Sequence, residues 1–330
     1  MAVLDTVNDR TRYPNLRPLD VRKDLLPVAD LIELCFASTM DQDGQEYLRQ
    51  MRQAGRDARF LSWAPEAAEK VAMPLSGYIW EEDGQIIGNL SLIPMRQQGH
   101  RIYLIANVAV HPDHRRRGIA RALTQTALDR LEQRQVWAAW LQVRDDNPAA
   151  HHLYLSLGFV ERARRTTWEA RPSPRSMTRT SSVQIQVSAR QYKDWEIQKQ
   201  WLLENYPPEV EWNLNFNPNE FKPSFLNDFL HFMEGGRIKH WAARRQGALT
   251  CLLTWQTTRM SADNLWLAAP GTADDESLAC LLAQALHDLS GKRNVAMNVD
   301  STRPDEALIE AGFTNRQTLI WMERKLSPSQ

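Results

Sequence analysis

Residues 106–131, ANVAVHPDHRRRGIARALTQTALDRL, constrain the fold more than any other stretch of this chain. A short apolar run, Ala106 to Val110, stops at His111-Pro112. A basic turn follows, Arg115-Arg116-Arg117-Gly118-Ile119-Ala120, and then a helix pattern runs without a breaker to Arg134. The reading is strand, turn, helix N-terminus, with cations at the turn. A helix start leaves its first backbone N–H groups unpaired and carries partial positive charge. Gly118 lets the backbone approach a ligand closely. Together these features predict a cradle for a phosphate or pyrophosphate.

A second constellation lies downstream. Val136 to Val143 (VWAAWLQV) reads as another apolar strand, broken by Asp145-Asp146-Asn147-Pro148. Ala149 to Leu157 reads as a short helix, ended by Gly158 as a C-cap and followed by Phe159.

The pattern Arg115-x-x-Gly118-x-Ala120 after an apolar strand resembles motif A of the GNAT superfamily of acyl-CoA N-acyltransferases. Asn147-Pro148, Leu153-Tyr154 and Leu157-Gly158-Phe159 resemble its motif B. The resemblance implies acetyl-CoA as co-substrate, with its diphosphate on the N–H groups of Arg116, Arg117, Gly118, Ile119, Ala120 and Arg121, and Arg115, the first residue of the motif, among the cofactor-binding residues. It implies that the backbones of Val108 and Val110, on a strand splayed from its neighbour, pair with the pantetheine arm, with Ala109 between them in the cofactor site. It implies Asn147 as a hydrogen-bond partner of that arm and Tyr154 as the general acid that protonates the departing thiolate. An unperturbed tyrosine pKa near 10 against a thiol near 8.5 is compatible with that role.

Some family members carry a glutamate base on the motif A strand. Leu104-Ile105-Ala106-Asn107 has no acid there. Asp41, Asp43 and Glu46, in STMDQDGQEYL between two predicted helices, and Glu33 on the preceding helix are candidates to hold a cationic amine. Their other reading is as caps and solvated loop residues.

The chain has 330 residues, enough for two ordinary domains. Its 40 basic and 40 acidic groups cancel, which argues against general nucleic-acid affinity. Three scattered cysteines, Cys35, Cys251 and Cys280, suggest buried thiols in a reducing compartment. The first twenty residues lack the apolar core of a secretion signal. No uncharged apolar run approaches the roughly 20 residues of a membrane span. The eight histidines show no HExxH-type spacing, so no metal is expected. The expectation is a cytoplasmic protein, monomer or homodimer, with neither nucleic acid nor membrane as partner.

Two halves share one plan. RPSPRSMTRTSS (171–182) has linker composition, and apolar alternation resumes at Val183 to Val187, with a helix expected over Ser188 to Glu204. The opening half likewise reads as a strand at Leu16 to Leu19 and a helix near Val28 to Phe36. LYLSLGFVERARRTTWEAR (153–171) aligns with ALIEAGFTNRQTLIWMERK (307–325), and ALDRL (127–131) with ALHDL (285–289). This predicts a tandem duplication. The expected fold is α/β (α+β): two GNAT-like domains, each a mixed, mostly antiparallel sheet flanked by helices. The expected bounds are 1–170 for the catalytic domain, 171–182 for a linker and 183–330 for a degenerate copy.

The alignment sets Arg115-Arg116-Arg117-Gly118 against Ala273-Asp274-Asp275-Glu276, Tyr154 against Leu308 and Asn147-Pro148 against Arg303-Pro304. Carboxylates at the helix start would repel a diphosphate. The second copy's seven tryptophans, with Trp212 among them, are expected to pack rather than stack on a ligand. The function expected is acetyl transfer to a primary amine of a small molecule or peptide. The alternative is a non-catalytic CoA-binding or scaffold protein.

Overall fold

The computed structural model describes residues 13–68, 71–174, 185–214, 216–223, 238–271 and 274–326. Packing divides the chain into two compact units. The first runs to Val143 and adds Asn147–Glu161 and the chain from Trp321. The second comprises Arg144–Asp146 and Arg162–Ile320.

In the first unit, strand β1 (Leu16–Pro18) leads into helix α1 (Val21–Phe36). The helix starts well before the expected Val28 because Asp20 caps it, accepting from Arg22 N, and because Pro27 is tolerated within it. Helices α2 (Gln42–Ala54) and α3 (Ala58–Ala67) follow. Val28, Ala29, Ile32, Leu48 and Met51 form the core between them. Strands β2 (Ser76–Glu82) and β3 (Gln85–Gln97) make a hairpin, with Asp83 at φ 49° and Gly84 at φ 76°. Both central residues are left-handed, as a type I′ turn requires.

A second tight turn at Gln98-Gly99 carries β3 into β4 (His100–Val110). Helix α4 (Ile119–Gln133), strand β5 (Ala138–Arg144) and helix α5 (Pro148–Ser156) complete the order. The strands run β1-β2-β3-β4-β5, antiparallel except for parallel β4–β5. Gly88 on β3 lies under α4: a Cβ there would stand 2.8 Å from Ile119 Cγ2 and 3.0 Å from Trp80 Cβ. Only glycine lets the helix start pack this close.

The residues from Trp321 complete this unit. Leu326 N–H donates to Trp137 O (3.1 Å), Arg324 Nη1 to Leu157 O (2.8 Å), and Lys325 lies over the Trp137 ring.

In the second unit, β6 (Val160–Ala170) pairs antiparallel with β11 (Val295–Asp300) from Arg165 to Ala170. Strands β7 (Ile185–Ala189), β8 (Ile238–Arg245), β9 (Ala248–Gln256) and β10 (Asp263–Ala268) extend the sheet in the order β11-β10-β9-β8-β7. Helix α6 covers Trp195–Asn205, a later start than expected because Ser188 and Ala189 belong to β7 and a 3₁₀ turn intervenes. Helix α7 is Pro208–Leu214, α8 Asp275–Asp288 and α9 Glu306–Glu310, ahead of β12 (Thr314–Lys325). Trp241, Trp255, Leu265, Leu282 and Met297 anchor one core cluster. Trp195, Tyr206, Phe221 and Trp266 anchor another.

The duplication is legible in backbone detail. Gly158 (φ 82°) and Gly312 (φ 91°) end matched helices. Phe159 N–H donates to Tyr154 O (3.1 Å), as Phe313 N–H does to Leu308 O (2.9 Å). The two copies nevertheless do not keep their own last strands. Most of β6, expected in the first domain, packs in the second unit, and the end of β12 packs in the first. Most of the expected linker, with Val183, Gln184, Asn215 and Ala273, lies outside the described residues. No helix among the described residues is long and apolar enough to cross a membrane.

Candidate active site

The site begins where two parallel strands part. β4 and β5 pair from Ile102↔Ala138 to Ile105↔Leu141 and no further, although both continue. The cause is a bulge: Asn89 pairs with Ala109 but Ser91 with Ala106, so β4 carries one extra residue. Asn107 sits there at φ 52°, a left-handed conformation that asparagine tolerates better than most residues. Ala106–Val110, including Val108 and Ala109, therefore leave β5 along an open edge, while Ala109 and Val110 stay paired with β3.

β4 ends at a 3₁₀ turn, Pro112–His114. Arg116 has φ 63° and Gly118 φ 79°, and Gly118 caps α4 without a side chain. A Cβ on Gly118 would meet nothing within 4 Å, so the helix start faces open space. The first-turn N–H groups of Ile119, Ala120 and Arg121 open there, with nothing acidic in that turn.

The arginines divide their work. Arg115 turns back, its Nε donating to Val110 O (3.2 Å) beside Cys35, whose thiol is raised chiefly by burial and lowered by Arg115. Arg117 is held by Glu82 (2.8 and 3.1 Å), and Trp80 and Arg117 keep that carboxyl below its ordinary range. Arg116 is exposed and makes no ion pair among the described residues. Arg121 Nη2 donates to Ser156 Oγ (2.6 Å), tying the start of α4 to the end of α5.

Asn147 is the N-cap of α5, its Oδ1 accepting from Ala150 N–H (3.1 Å). In the last turn of the helix, Tyr154 is buried edge-on against Phe159. Burial pushes its pKa up to about 12. No hydrogen bond reaches its hydroxyl within the described residues.

The acids proposed for the acceptor serve the scaffold. Glu33 pairs with Arg52 (2.6 Å). Asp41 caps α2 through Gly44 N–H (2.8 Å), and Asp43 lies in the first turn of that helix. Glu46 pairs with Arg49. The polar groups that do reach the bulge were not singled out by sequence: Tyr47, Asn89, Ser91 and Asn107. Tyr47 hydroxyl accepts from Asn107 Nδ2 (2.8 Å). The available clue was an asparagine inside an apolar strand run.

The second unit repeats the fork and fills it. β10 and β11 pair only at Asp263↔Val295 and Asn264↔Ala296. At the opening, buried Tyr206 accepts from Leu267 N–H (3.1 Å). Asn205 Nδ2 donates to Ala269 O (2.7 Å). Arg165 Nη2 donates to Asn298 O (2.9 Å), and Arg303 reaches Asn205 and Pro270 O. At the start of α8, Arg245 bridges Asp274 (2.7 Å) and Glu276. Leu308, opposite Tyr154 in the alignment, is buried in the core. Trp212 donates to Glu209 O within its own helix (2.9 Å). Among the described residues no cluster of three metal-ligand side chains occurs.

Residues 38–159 match the family model for the acetyltransferase (GNAT) family. Over 55 residues the chain is 53% identical to the [ribosomal protein bS18]-alanine N-acetyltransferase of Escherichia coli K12, which spans 17% of this chain and 37% of that protein. Over 93 residues it is 33% identical to the L-amino acid N-acyltransferase MnaT of the same organism, 27% of this chain and 54% of that one. The chain thus matches about a third to a half of the length of these relatives. A GCN5-related N-acetyltransferase structure from Sphaerobacter thermophilus shares the fold over 96% of this chain and 97% of its own, at 14% identity and a TM-score of 0.55.

Proposed function

We propose that the first unit, which carries the residues 38–159 matched by the acetyltransferase (GNAT) family, transfers an acetyl group from acetyl-CoA to a primary amine of a small molecule or peptide. One observation carries the reading: a strand that leaves its parallel neighbour at a bulge and runs into a glycine-capped helix start open to a ligand. Such a start binds phosphate through backbone N–H groups and the helix dipole. Gly118, Ile119, Ala120 and Arg121 would hold the diphosphate, with Arg116 the exposed cation beside it. The edge of Val108, Ala109 and Val110 would take the amides of the arm, and Asn147 would cap the helix that lines it.

Acetyl-CoA supplies an activated acyl group when bound. The protein's part is to fix that group against a neutral amine, to offer N–H groups at the bulge where negative charge develops, and to present the Tyr154 hydroxyl to the leaving sulfur. The two curated relatives are named for acyl transfer to alanine of a ribosomal protein and to L-amino acids. An amine acceptor is in keeping with both.

A single site per chain follows from the second unit. Its fork is closed by Tyr206, Asn205 and Arg165, and its helix start carries Asp274 and Glu276 bridged by Arg245. Titration calorimetry with acetyl-CoA is therefore expected to give one site per chain. Glu276→Gly, which removes one acid from the second helix start, is expected to leave that affinity within twofold. Two sites, or an affinity change at Glu276→Gly as large as one in the first turn, would overturn the single-site reading.

A further inference from the structure

The polar groups at the β4 bulge have no task on the acyl-donor side of the site. Asn107 Nδ2 donates to Tyr47 hydroxyl on α2 (2.8 Å) and to Ser91 Oγ on β3 (3.3 Å). Asn89 Nδ2 donates to Asn107 O (2.8 Å) and to Ser91 Oγ (3.4 Å). Asn89 is fully buried, and its Oδ1 has no partner among the described residues. Four neutral side chains from two strands and a helix thus converge where β4 leaves β5.

The direction of the Tyr47 bond is fixed. An amide nitrogen only donates, so the Tyr47 oxygen accepts and its own hydrogen points elsewhere. Burial raises the Tyr47 pKa, which keeps that hydrogen in place throughout the physiological range.

We propose that Tyr47 is an acceptor-positioning residue, its O–H donating to the carbonyl oxygen beside an α-amino group, so that the acceptor is the α-amine of an amino-acid amide or a peptide N-terminus. This rests on the acetyl-transfer reading above. The surrounding charge agrees with it. Glu33, Asp41 and Glu46 are committed to Arg52, the α2 cap and Arg49, so they offer no counter-charge for an ammonium. An α-amine has a pKa of about 7.7–8.0 and a lysine side chain about 10.4. At pH 7.5 roughly a third of the first is neutral, against about one in a thousand of the second. An α-amine needs no carboxylate to become a nucleophile. In the transfer a C–N bond forms and the C–S bond breaks. The surplus proton on nitrogen leaves to water, and the departing thiolate, hydrogen-bonded by the Tyr154 hydroxyl, takes its proton from solvent.

The test is a matched pair of acceptors. Full-length protein is screened with the L-amino acid amides, and the best is compared with the amine lacking its carboxamide. For Tyr47→Phe the KM for the amide is expected to rise about tenfold, the size of one lost hydrogen bond. The kcat and the acetyl-CoA affinity should stay within twofold, and the carboxamide-free amine should be unaffected. Asn107→Gly keeps the left-handed backbone and frees Tyr47, and should raise the amide KM part of the way. Equal losses on both amines would make Tyr47 merely structural, and no loss on either would remove it from the acceptor side. Wild-type protein that acetylates a blocked lysine peptide in preference to any amide would overturn the acceptor class. Wild-type protein that binds acetyl-CoA yet acetylates nothing would overturn the parent reading instead.

Discussion

Gly118→Glu is expected to weaken acetyl-CoA binding by at least two orders of magnitude while leaving the protein folded. The space above Gly118 is open, so the new side chain enters it without a clash. There it fills the volume a diphosphate needs and brings a negative charge against it. At about 5 Å and an effective dielectric near 20 that repulsion is roughly 3 kcal/mol per charge pair, or about a hundredfold in Kd. The left-handed φ of 79° adds a cost of roughly 1–2 kcal/mol to any residue with a Cβ. Gly118→Asn separates the two effects, because asparagine tolerates this conformation and carries no charge. It should lose less than tenfold. Calorimetry reads the affinity, and thermal melting without ligand reads the fold. A Gly118→Glu protein that binds acetyl-CoA like the parent would remove the diphosphate from this turn.

Tyr154→Phe is expected to slow transfer by about 10² with acetyl-CoA affinity and melting temperature nearly unchanged. The ring packs against Phe159 and stays, and its hydroxyl holds no other group in the described structure. General acids contribute about 10²–10⁴ in rate. Burial, which pushes the Tyr154 pKa up to about 12, places the effect at the lower end. With a thiol near 8.5, complete handover of the proton is more uphill than the ordinary tyrosine value suggests. The hydroxyl then acts chiefly by hydrogen-bonding the sulfur as the C–S bond breaks.

The same shift fixes the pH dependence. Tyr154 remains protonated below about pH 11, so the rate should show no falling limb from it between pH 7 and 10. The loss should appear in kcat and shrink with an aryl thioester whose thiolate needs no proton. Leu308→Phe, at the matched position, should not change the rate. A Tyr154→Phe enzyme as fast as the parent would return Tyr154 to a packing role.

Much of this architecture was legible in the sequence. The turn from His111 to Ala120 declared itself because glycine, proline and clustered arginines are local instructions that survive any tertiary context. The helix ends at Gly158 and Gly312 read out for the same reason. What stayed hidden depends on partners remote in the chain. Arg117 looks like a free cation until Glu82, from another strand, takes it. Tyr47 looks like a core aromatic until α2 brings it to Asn107. The fork of the second unit could not be seen as filled, because Asn205 and Tyr206 come from the end of α6 and Arg165 from β6, forty residues earlier in the chain. The acids Glu33, Asp41 and Glu46 were visible, but only packing discloses that each already has a partner. The helix runs from Val21 rather than from near Val28, because Asp20 caps it and Pro27 is tolerated within it.

The trading of last strands gives the chain a direction in time. A ribosome making this protein completes the strand, turn and helix of the first unit early, yet that unit still lacks the residues from Trp321 that bond to Trp137 and Leu157. Those residues emerge only after the whole second unit has been made. β12 is the neighbour of β5 in the sheet, so until then that side of β5 is an unpaired edge, the kind of surface that invites pairing with other chains. The nascent protein must therefore keep a nearly finished domain waiting, and a fragment cut between the two sequence repeats inherits that unfinished edge. Such a fragment, ending near residue 170, should aggregate where the full chain does not, and supplying residues 314–326 as a peptide should relieve it.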